Sequence, residues 1–237
     1  MVSSADQIRH APWESELFGC RAGNVVEVAE FDGDVGDYEF LVAKVDVGEE
    51  ARVAALCALG FELIETALVL SQPRSGLTIP EPKLTVRHAT DADCEAAVRI
   101  AGSRFTHSRF HRDGKIPKSL ADESRAQWVH NGFHEGWGRL QVAVSDAGDV
   151  VGFILGKRKG AVSVLDLMAV DEAALGTGVG RALVAGYHSS IDEAETETLQ
   201  VTTQATNVAA TGLYLSQGYR YARASYSLHW HAPSKGC

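Results

Sequence analysis

The pattern of apolar and polar positions predicts a mixed α/β fold for most of the chain. Short alternating runs favour strands, and longer runs with apolar residues three or four apart favour helices. Asp146-Ala147-Gly148-Asp149 places four turn-formers between two apolar runs, as a β-hairpin requires. From residue 84 onward the predicted order is strand 84–87, helix 91–104, helix 119–131, strands 141–145, 150–156 and 162–170, helix 181–194, strand 199–203, helix 208–217 and strand 222–230. We expect one sheet with an antiparallel front, a crossover-connected back and helices on its faces.

The first part of the chain repeats the order of the last part on a smaller scale. In both parts a strand, a helix, a glycine followed by an aromatic residue, and a second strand succeed one another. The glycine stands just past the helix, where a left-handed residue ends it. The matching segments are 40–47, 49–59, Gly60-Phe61 and 62–70 in the first part, and 199–203, 207–217, Gly218-Tyr219 and 220–230 in the last.

This internal repeat, which we call the echo, and the prolines predict how the chain is divided into domains. Pro80 and Pro82 lie two apart in the segment 76–83, and each disfavours helix for the residue before it. We therefore expect a reduced N-terminal half-domain over residues 1–75, a linker over 76–83 and the main domain over 84–237.

Charge and cysteine content exclude some classes of partner and indicate the cellular compartment. The 237 residues carry a formal net charge of -9, which argues against nucleic acid as a partner because that affinity rests on Lys and Arg. The four cysteines are scattered, without a C-x-x-C pair, and no apolar run approaches the length of a membrane span. These features predict a cytoplasmic protein in a reducing compartment, with no membrane partner.

Three alternating glycines directly precede a predicted helix, in Leu175-Gly176-Thr177-Gly178-Val179-Gly180. Such a loop frees backbone N–H groups to point one way, and the helix N-terminus adds partial positive charge. The spacing matches neither the dinucleotide fingerprint nor the phosphate loop of nucleotide-triphosphate enzymes. The loop predicts a pyrophosphate cradle, with a plain strand-to-helix connection as the alternative.

Asn207 is a good N-cap for the next helix, and Asn207, Ala210 and Tyr214 fall on one helical face. Together with the glycine loop and the closing Gly218-Tyr219, these residues resemble the GNAT superfamily of acetyltransferases. The family loop has the form [Q/R]-x-x-G-x-[G/A], in which Gly178 and Gly180 match and Leu175 replaces the usual Arg or Gln.

The resemblance implies an acyltransferase fold with a central, mixed, V-splayed sheet, and it implies acetyl-CoA as the cofactor. It makes Tyr214 the general acid that protonates the departing thiolate, and a phenol with an ordinary pKa near 10 is protonated at neutral pH. Backbone N–H groups near Met168 and Val170 would hold the acyl oxyanion. The residues expected at the cofactor are Leu167, Met168, Ala169, Val170, Leu175, Gly176, Thr177, Gly178, Val179, Gly180, Arg181, Asn207, Ala210 and Tyr214.

The sequence indicates the general base less clearly than it indicates the general acid. Asp166 on the strand before the loop is the first candidate and His229 is the second, while a chain of water molecules is equally compatible. A hydrogen-bonded strand residue and a histidine at the edge of the core are the ordinary alternatives for these two side chains.

The segment 104–118 gathers five cations, Arg104, Arg109, Arg112, Lys115 and Lys118, around the single acid Asp113. A solvated face is the usual explanation, yet Arg side chains suit diphosphates. His107 and His111 are four apart but lack the Glu of H-E-x-x-H, so no metal is expected.

A narrower resemblance concerns the acceptor. Segments 12–19, 108–111, 127–131 and 201–204, together with Asn207, are similar to the TDP-fucosamine acetyltransferase branch of the superfamily. The branch implies direct acetyl transfer to the amino group of a nucleotide-activated sugar of the dTDP-4-amino-4,6-dideoxyhexose type, with a homodimer left open. The residues expected at the acceptor are Arg109, His111, Trp128 and Gln204.

Two other functions compete. An acetyltransferase could act on another amine, such as an antibiotic, a polyamine or a protein N-terminus, although cationic amines fit poorly beside Arg109 and Lys115. A non-catalytic CoA-binding sensor would keep the glycine loop and have no use for Tyr214.

Overall fold

The computed structural model describes residues 7–26, 28–77, 79 and 84–233. The strands are β1 (Ile8–His10), β2 (Ala22–Val25), β3 (Phe40–Asp46), β4 (Glu62–Pro73), β5 (Thr85–His88), β6 (Arg139–Val144), β7 (Val150–Lys159), β8 (Val162–Val170), β9 (Thr198–Gln204) and β10 (Arg220–His231). The helices are α1 (Pro12–Phe18), α2 (Glu50–Ala58), α3 (Asp91–Arg104), α4 (Arg109–Arg112), α5 (Lys118–His134), α6 (Val179–Ser189) and α7 (Val208–Ser216), with a 3₁₀ turn over Glu172–Ala174.

All ten of these strands join one sheet in the order β1-β2-β3-β10-β4-β9-β8-β7-β6-β5. The β2/β3 and β8/β9 pairs are parallel, and the other neighbours are antiparallel. The predicted mixed α/β class, with helices flanking a central mixed sheet, is therefore confirmed.

The sheet opens between β8 and β9. Their register runs only from Val162 opposite Thr198 to Leu165 opposite Val201, whereas β8 continues to Val170 and β9 to Gln204. The two strands diverge beyond that point, which gives the V-shaped splay expected from the family resemblance. The gap connects the two faces of the sheet.

The faces carry different helices. On one face α6 and α7 pack against Leu165, Leu199 and Val201. On the other face α3 and α5 pack against Phe153 and Ala169. Local sequence explains two of these helices: Thr90 and Asp93 form a capping box at the start of α3, and Asn207 caps α7 by accepting from the Ala210 N–H at 3.1 Å.

The strand-helix-strand echo is present as elements, in β3-α2-β4 and β9-α7-β10. The two units interleave, since β10 lies between β3 and β4, and β4 lies between β10 and β9. The central β10/β4 pair is antiparallel, as a pseudo-twofold axis between two copies requires. Both parts of the chain thus contribute to one continuous sheet.

Three sequence-based expectations differ from the structure. Helix α6 ends at Ser189 instead of residue 194, and α4 was not expected within the segment 104–118. Cys20 is disulfide-bonded, while Cys57 and Cys94 are free thiols, so the scattered spacing did not reveal a bond. Most of the predicted linker, namely residue 78 and residues 80–83, lies outside the described residues.

Within the described ranges, every helix is too short or too polar to cross a membrane.

Candidate active site

A cavity of about 1500 Å³ lies where β8 and β9 part, and it reaches both faces of the sheet. On the α6 and α7 face it is lined by Tyr214, which belongs to the core cluster of Leu199 and Val201. On the α5 face it is lined by Trp128 and Asp166. Because the cavity passes through the splay, a ligand held on the first face can meet a second ligand on the other.

The glycine loop forms one end of this cavity. Gly176 and Gly178 have φ values of 77° and 93°, which side chains with a Cβ rarely adopt, and Gly178 is the N-cap of α6. A Cβ built at Gly178 would meet no atom within 4 Å, so the backbone borders open space. The loop therefore exposes main-chain N–H groups at a helix N-terminus, the arrangement that binds phosphate.

The structure brings together the whole set of residues expected at the cofactor. The cavity is lined by Leu167, Met168, Ala169, Val170, Leu175, Gly176, Thr177, Gly178, Val179, Gly180, Arg181, Asn207, Ala210 and Tyr214. Their presence in one cavity is a geometric result.

Tyr214 is buried at 5% exposure and packs edge-on against Tyr219. Burial alone raises the pKa of the Tyr214 phenol above its ordinary value of 10. The hydroxyl therefore stays protonated across the physiological range. It can donate a hydrogen bond to a group that gains negative charge in the cavity.

Asp166 lies at a register shift in the β7/β8 pair, where Leu155 faces Leu167 and Gly156 faces Leu165. Such a bulge redirects a side chain and is frequent beside active sites. One carboxylate oxygen accepts from Trp128 Nε1 at 2.6 Å, and the other pairs with Lys157 Nζ at 2.6 Å. Both oxygens are thus engaged, which favours a positioning role over proton acceptance.

His229, the second candidate base, lies outside the cavity lining. It is fully buried, it packs against Phe40, and its Nδ1 lies 2.7 Å from Asp113 Oδ2. Burial lowers the pKa of His229 to about 4. The expectation of a base at His229 is corrected, because its ring is fully buried, contacts Asp113 and does not line the cavity.

The same Asp113 oxygen also lies 2.7 Å from His231 Nε2. Among the described residues, Asp113, His229 and His231 form a group whose atoms are close enough to hold a metal ion. The two hydrogen bonds to one oxygen account for this closeness, so the group needs no ion to explain it.

His111 is a further correction. Its Nε2 lies 3.0 Å from Asp122 Oδ1 and its Nδ1 lies 2.6 Å from Ser108 Oγ, and it does not line the cavity. Burial lowers the pKa of His111. These contacts hold α4 against α5, and they place His111 away from the cavity lining where the acceptor was expected.

The cationic segment 104–118 is mostly neutralised by acids that lie elsewhere in the chain. Arg104 and Arg109 line the cavity, whereas the other three cations of the segment do not. The ion pairs are Arg104 with Glu172 at 3.3 Å, Arg109 with Glu14 at 3.0 Å, Lys115 with Glu62 at 2.6 Å and Lys118 with Asp122 at 2.6 Å. Only Arg104 and Arg109 of this segment are therefore placed to meet a ligand in the cavity.

The structure instead places charge from the N-terminal part in the cavity. Lys44 of β3 and Glu65 of β4 both lie opposite Ser227 of β10, so they share one face of the sheet. Burial raises the pKa of Glu65 above its ordinary value. Lys44 is exposed to the open cavity, and partial desolvation and the nearby Arg109 lower its pKa. Arg125 of α5 completes this group, and burial lowers its pKa to about 10.

The sequence held a signal for two of these residues. Lys44 and Glu65 each interrupt an apolar strand, in Phe40-Leu-Val-Ala-Lys and in Leu63-Ile-Glu-Thr-Ala. Charged residues are rarely buried unless they are paired, so a charge inside such a run marks a position open to solvent or to a ligand. That signal singles out the residues, but only the fold shows that they meet.

Tryptophans border the same half of the cavity. Trp13 meets Trp128 edge-on with 5.1 Å between ring centroids, and Trp128 meets Trp137 at 5.3 Å. Lys157 lies over both Trp128 and Trp137, at 5.3 and 5.1 Å. Trp128 and Gln204, both expected at the acceptor, line the cavity, as does Trp13.

Comparison with known protein families agrees with this geometry. Residues 122–230 match the acetyltransferase (GNAT) domain family. The chain is 26% identical over 166 residues to the spore coat polysaccharide biosynthesis protein SpsD of Bacillus subtilis. That alignment covers 70% of this chain and 57% of SpsD, so the chain spans little more than half of this relative's length.

Solved structures share the fold at lower identity. A GCN5-related N-acetyltransferase from Kribbella flavida has a TM-score of 0.59 at 16% identity, over 91% of this chain and 82% of that one. A tandem GNAT protein from the clavulanic acid biosynthesis pathway has a TM-score of 0.54 at 18% identity, over 84% and 66%. At these identities the likeness supports the fold alone.

Proposed function

We propose, from the premise that residues 122–230 are an acetyltransferase domain of the GNAT family, that the chain acetylates the amino group of a nucleotide-activated amino sugar. Acetyl-CoA is the cofactor of this family, and it supplies the acetyl group as a thioester. The observation that carries the proposal is the single cavity, which joins a phosphate cradle on one face of the sheet to a charged, tryptophan-lined chamber on the other.

The residues of the cradle fit this cofactor. The N–H groups of the loop 176–180 and the N-terminus of α6 would hold the pyrophosphate, and Arg181 on the same rim adds a cation. Leu175 is 54% exposed and supplies no polar contact where the family usually has Arg or Gln. Backbone donors would therefore contribute most of the phosphate binding.

We assign Tyr214 as the donor of the proton that the departing sulfur needs, because its phenol is buried in the cavity and kept protonated. The acceptor nitrogen forms the new C–N bond as the C–S bond breaks, and it loses one proton. We assign that proton to Glu65, whose Oε2 is buried without a hydrogen-bond partner among the described residues and whose pKa burial raises. Asp166 orients Trp128 and Lys157.

The acceptor class follows from charge and shape. Seven cations line the cavity against three acids, Glu14, Glu65 and Asp166. This excess suits an anionic acceptor in addition to the phosphates of the cofactor. The tryptophans offer flat apolar surfaces for a sugar or a base. The likeness to SpsD, which is named for polysaccharide biosynthesis, supports a sugar substrate.

The division of the chain remains part of the proposal. We assign residues 1–75 to a reduced copy of the C-terminal unit 84–237, in which β3-α2-β4 corresponds to β9-α7-β10. The interleaved strands β3-β10-β4-β9 would then resemble two subunits that exchange strands within one chain. A homodimer is not needed to complete this sheet, and it stays a prediction.

Release of free CoA from acetyl-CoA tests the function. The acceptors are dTDP- and UDP-linked amino sugars, the same amino sugars without nucleotide, and a polyamine. We expect turnover only with a nucleotide-linked acceptor, and mass spectrometry should find one added acetyl group on its nitrogen. Turnover of the polyamine at a higher rate would contradict the proposal. Acetyl-CoA binding without turnover of any amine would favour the sensor function.

Replacement of Gly178 by Val tests the cradle. The β-branched residue must adopt a φ near 93° and would project into the space left for phosphate. Loss of charge-assisted hydrogen bonds worth about 1.5–3 kcal/mol should weaken acetyl-CoA binding about 10- to 100-fold in calorimetry. Gly148→Val is the matched control, because Gly148 has φ 90°, open space around its Cβ and no place in the cavity lining. Equal acetyl-CoA affinity in both folded variants would contradict the cradle.

A further inference from the structure

Arg125 lies on the inner wall of the cavity, and no acidic residue of the described chain forms an ion pair with it. It lies on α5, and among the described residues no carboxylate oxygen lies within 4 Å of its guanidinium. Its Nε is buried and has no hydrogen-bond partner. The side chain as a whole is half-buried. A charged group that is partly withdrawn from water without an ion pair costs folding free energy, so its presence calls for an explanation.

The neighbouring cations differ in this respect. Arg109 is paired with Glu14 at 3.0 Å, and Lys157 with Asp166 at 2.6 Å. Lys44 resembles Arg125 in one respect, since it too has no ion pair within the described part of the chain, but its side chain is exposed. Lys44, Arg109 and Arg125 all act electrostatically on Glu65. The wall around Glu65 therefore has more positive than negative charge.

Packing against neighbouring rings does not explain why a charged residue stands at position 125. Its guanidinium carbon lies 6.0 Å from the ring centroid of Phe105 and 5.7 Å from that of Phe110. These distances are at the outer limit of a cation–π contact, where the interaction is weak. An apolar side chain of similar length would cover the same rings without a desolvation cost, so the charge itself must have a use.

We propose that Arg125, with Lys44 beside the same carboxylate, binds the diphosphate of the acceptor. The guanidinium presents a planar fork of donors that matches two phosphate oxygens, and Lys44 adds a point charge. This site rests on the proposed function, because a nucleotide-linked sugar is the acceptor that would bring a diphosphate to this face of the sheet. It replaces the segment 104–118 as the acceptor's anion site.

A second consequence concerns Glu65. When the diphosphate occupies the wall, it offsets the charges of Lys44 and Arg125, which otherwise lower the pKa of Glu65. The carboxylate then becomes a stronger base as the acceptor arrives. Substrate binding and proton acceptance are coupled in this way by electrostatics alone.

Isothermal titration calorimetry on the full chain tests the site. The probes are dTDP and inorganic pyrophosphate, each added to protein saturated with CoA so that the glycine loop is already occupied. We expect wild type to bind dTDP, and Arg125→Met to weaken that binding about tenfold or more. Arg125→Lys keeps the charge and loses the fork, so an intermediate affinity is expected. Arg112→Gln removes an exposed cation outside the cavity lining and should bind like wild type.

The outcomes separate this site from the proposed function. Equal affinity of dTDP for wild type and Arg125→Met, or no binding of either probe to wild type, overturns the site. Binding that depends on Arg125, in a protein that acetylates no nucleotide-linked amine, supports the site and overturns the function. Without ligand, Arg125→Met should melt no lower than wild type, since it removes an uncompensated charge. A marked fall in its melting temperature would instead assign Arg125 to the fold and overturn the site.

Discussion

Replacing Tyr214 by Phe is expected to lower kcat by about 10²- to 10⁴-fold, the usual contribution of general acid catalysis. The ring and its packing against Tyr219 are kept, and only the buried hydroxyl in the cavity is lost. KM for acetyl-CoA and for the acceptor should change little, because the proton is needed only as the C–S bond breaks. Steady-state kinetics of free CoA release would measure all three constants.

Tyr219→Phe is the matched control. Tyr219 is buried at 2% exposure, its hydroxyl lies 2.9 Å from His188 Nε2, and it does not line the cavity. This variant should lose about 1 kcal/mol of unfolding free energy with its hydrogen bond and keep kcat. If Tyr214→Phe turns over like wild type, or if both variants lose kcat in proportion to their stability, Tyr214 is not the acid.

Local signals predicted the residues that line the proposed cofactor half of the cavity. The glycine loop, the cap Asn207 and the phenol two turns later are short-range features, and each depends on residues at most about ten positions apart. Their geometry follows from helix capping and from positive φ values at glycine, which a sequence expresses directly. The positions of Gly178 and Tyr214 in one cavity agree with that expectation.

The proposed acceptor half of the cavity could not be predicted in the same way. Arg109 is neutralised by Glu14, which is 95 positions away, and no count of charges within the segment 104–118 can include that partner. His229 and Asp113, which are 116 positions apart, meet in the same manner. Side chains become paired or unpaired only when distant strands and helices pack together, so the charge of a local segment does not give the charge of a site.

The N-terminal echo shows an intermediate case. The pattern predicted the strands, the helix and the left-handed Gly60, which has φ 91°. It did not predict that β4 would insert between β10 and β9. Local periodicity determines an element, whereas its place in the sheet depends on which edges remain available when the chain folds. The insertion brings Glu65 into the cavity.

Replacing Glu65 by Gln is expected to lower kcat by about 10²- to 10⁴-fold at neutral pH, because the amide cannot accept the proton of the acceptor nitrogen. The groups that face this carboxylate are Lys44, Arg109, Arg125 and Ser227, and burial outweighs them to raise its pKa above 4.5. In wild type, kcat should therefore fall as the pH drops through that raised pKa. This fall of kcat at low pH is the acidic limb of the kcat–pH profile. In Glu65→Gln the acidic limb should be absent, and a kcat–pH profile of both proteins would measure the difference.

Two further variants and a melting experiment test the assignment of Glu65 as the base. Glu62→Gln removes an exposed carboxylate of the same strand that pairs with Lys115, and it should keep both kcat and the acidic limb. Asp166→Asn should chiefly raise the acceptor KM and leave the acidic limb in place, because Asp166 orients Trp128 and Lys157.

A raised pKa means that ionised Glu65 is less stable in the folded than in the unfolded chain, so Glu65→Gln should melt no lower than wild type at pH 7. Retention of near-normal kcat and of the acidic limb in a folded Glu65→Gln protein would assign proton removal to water.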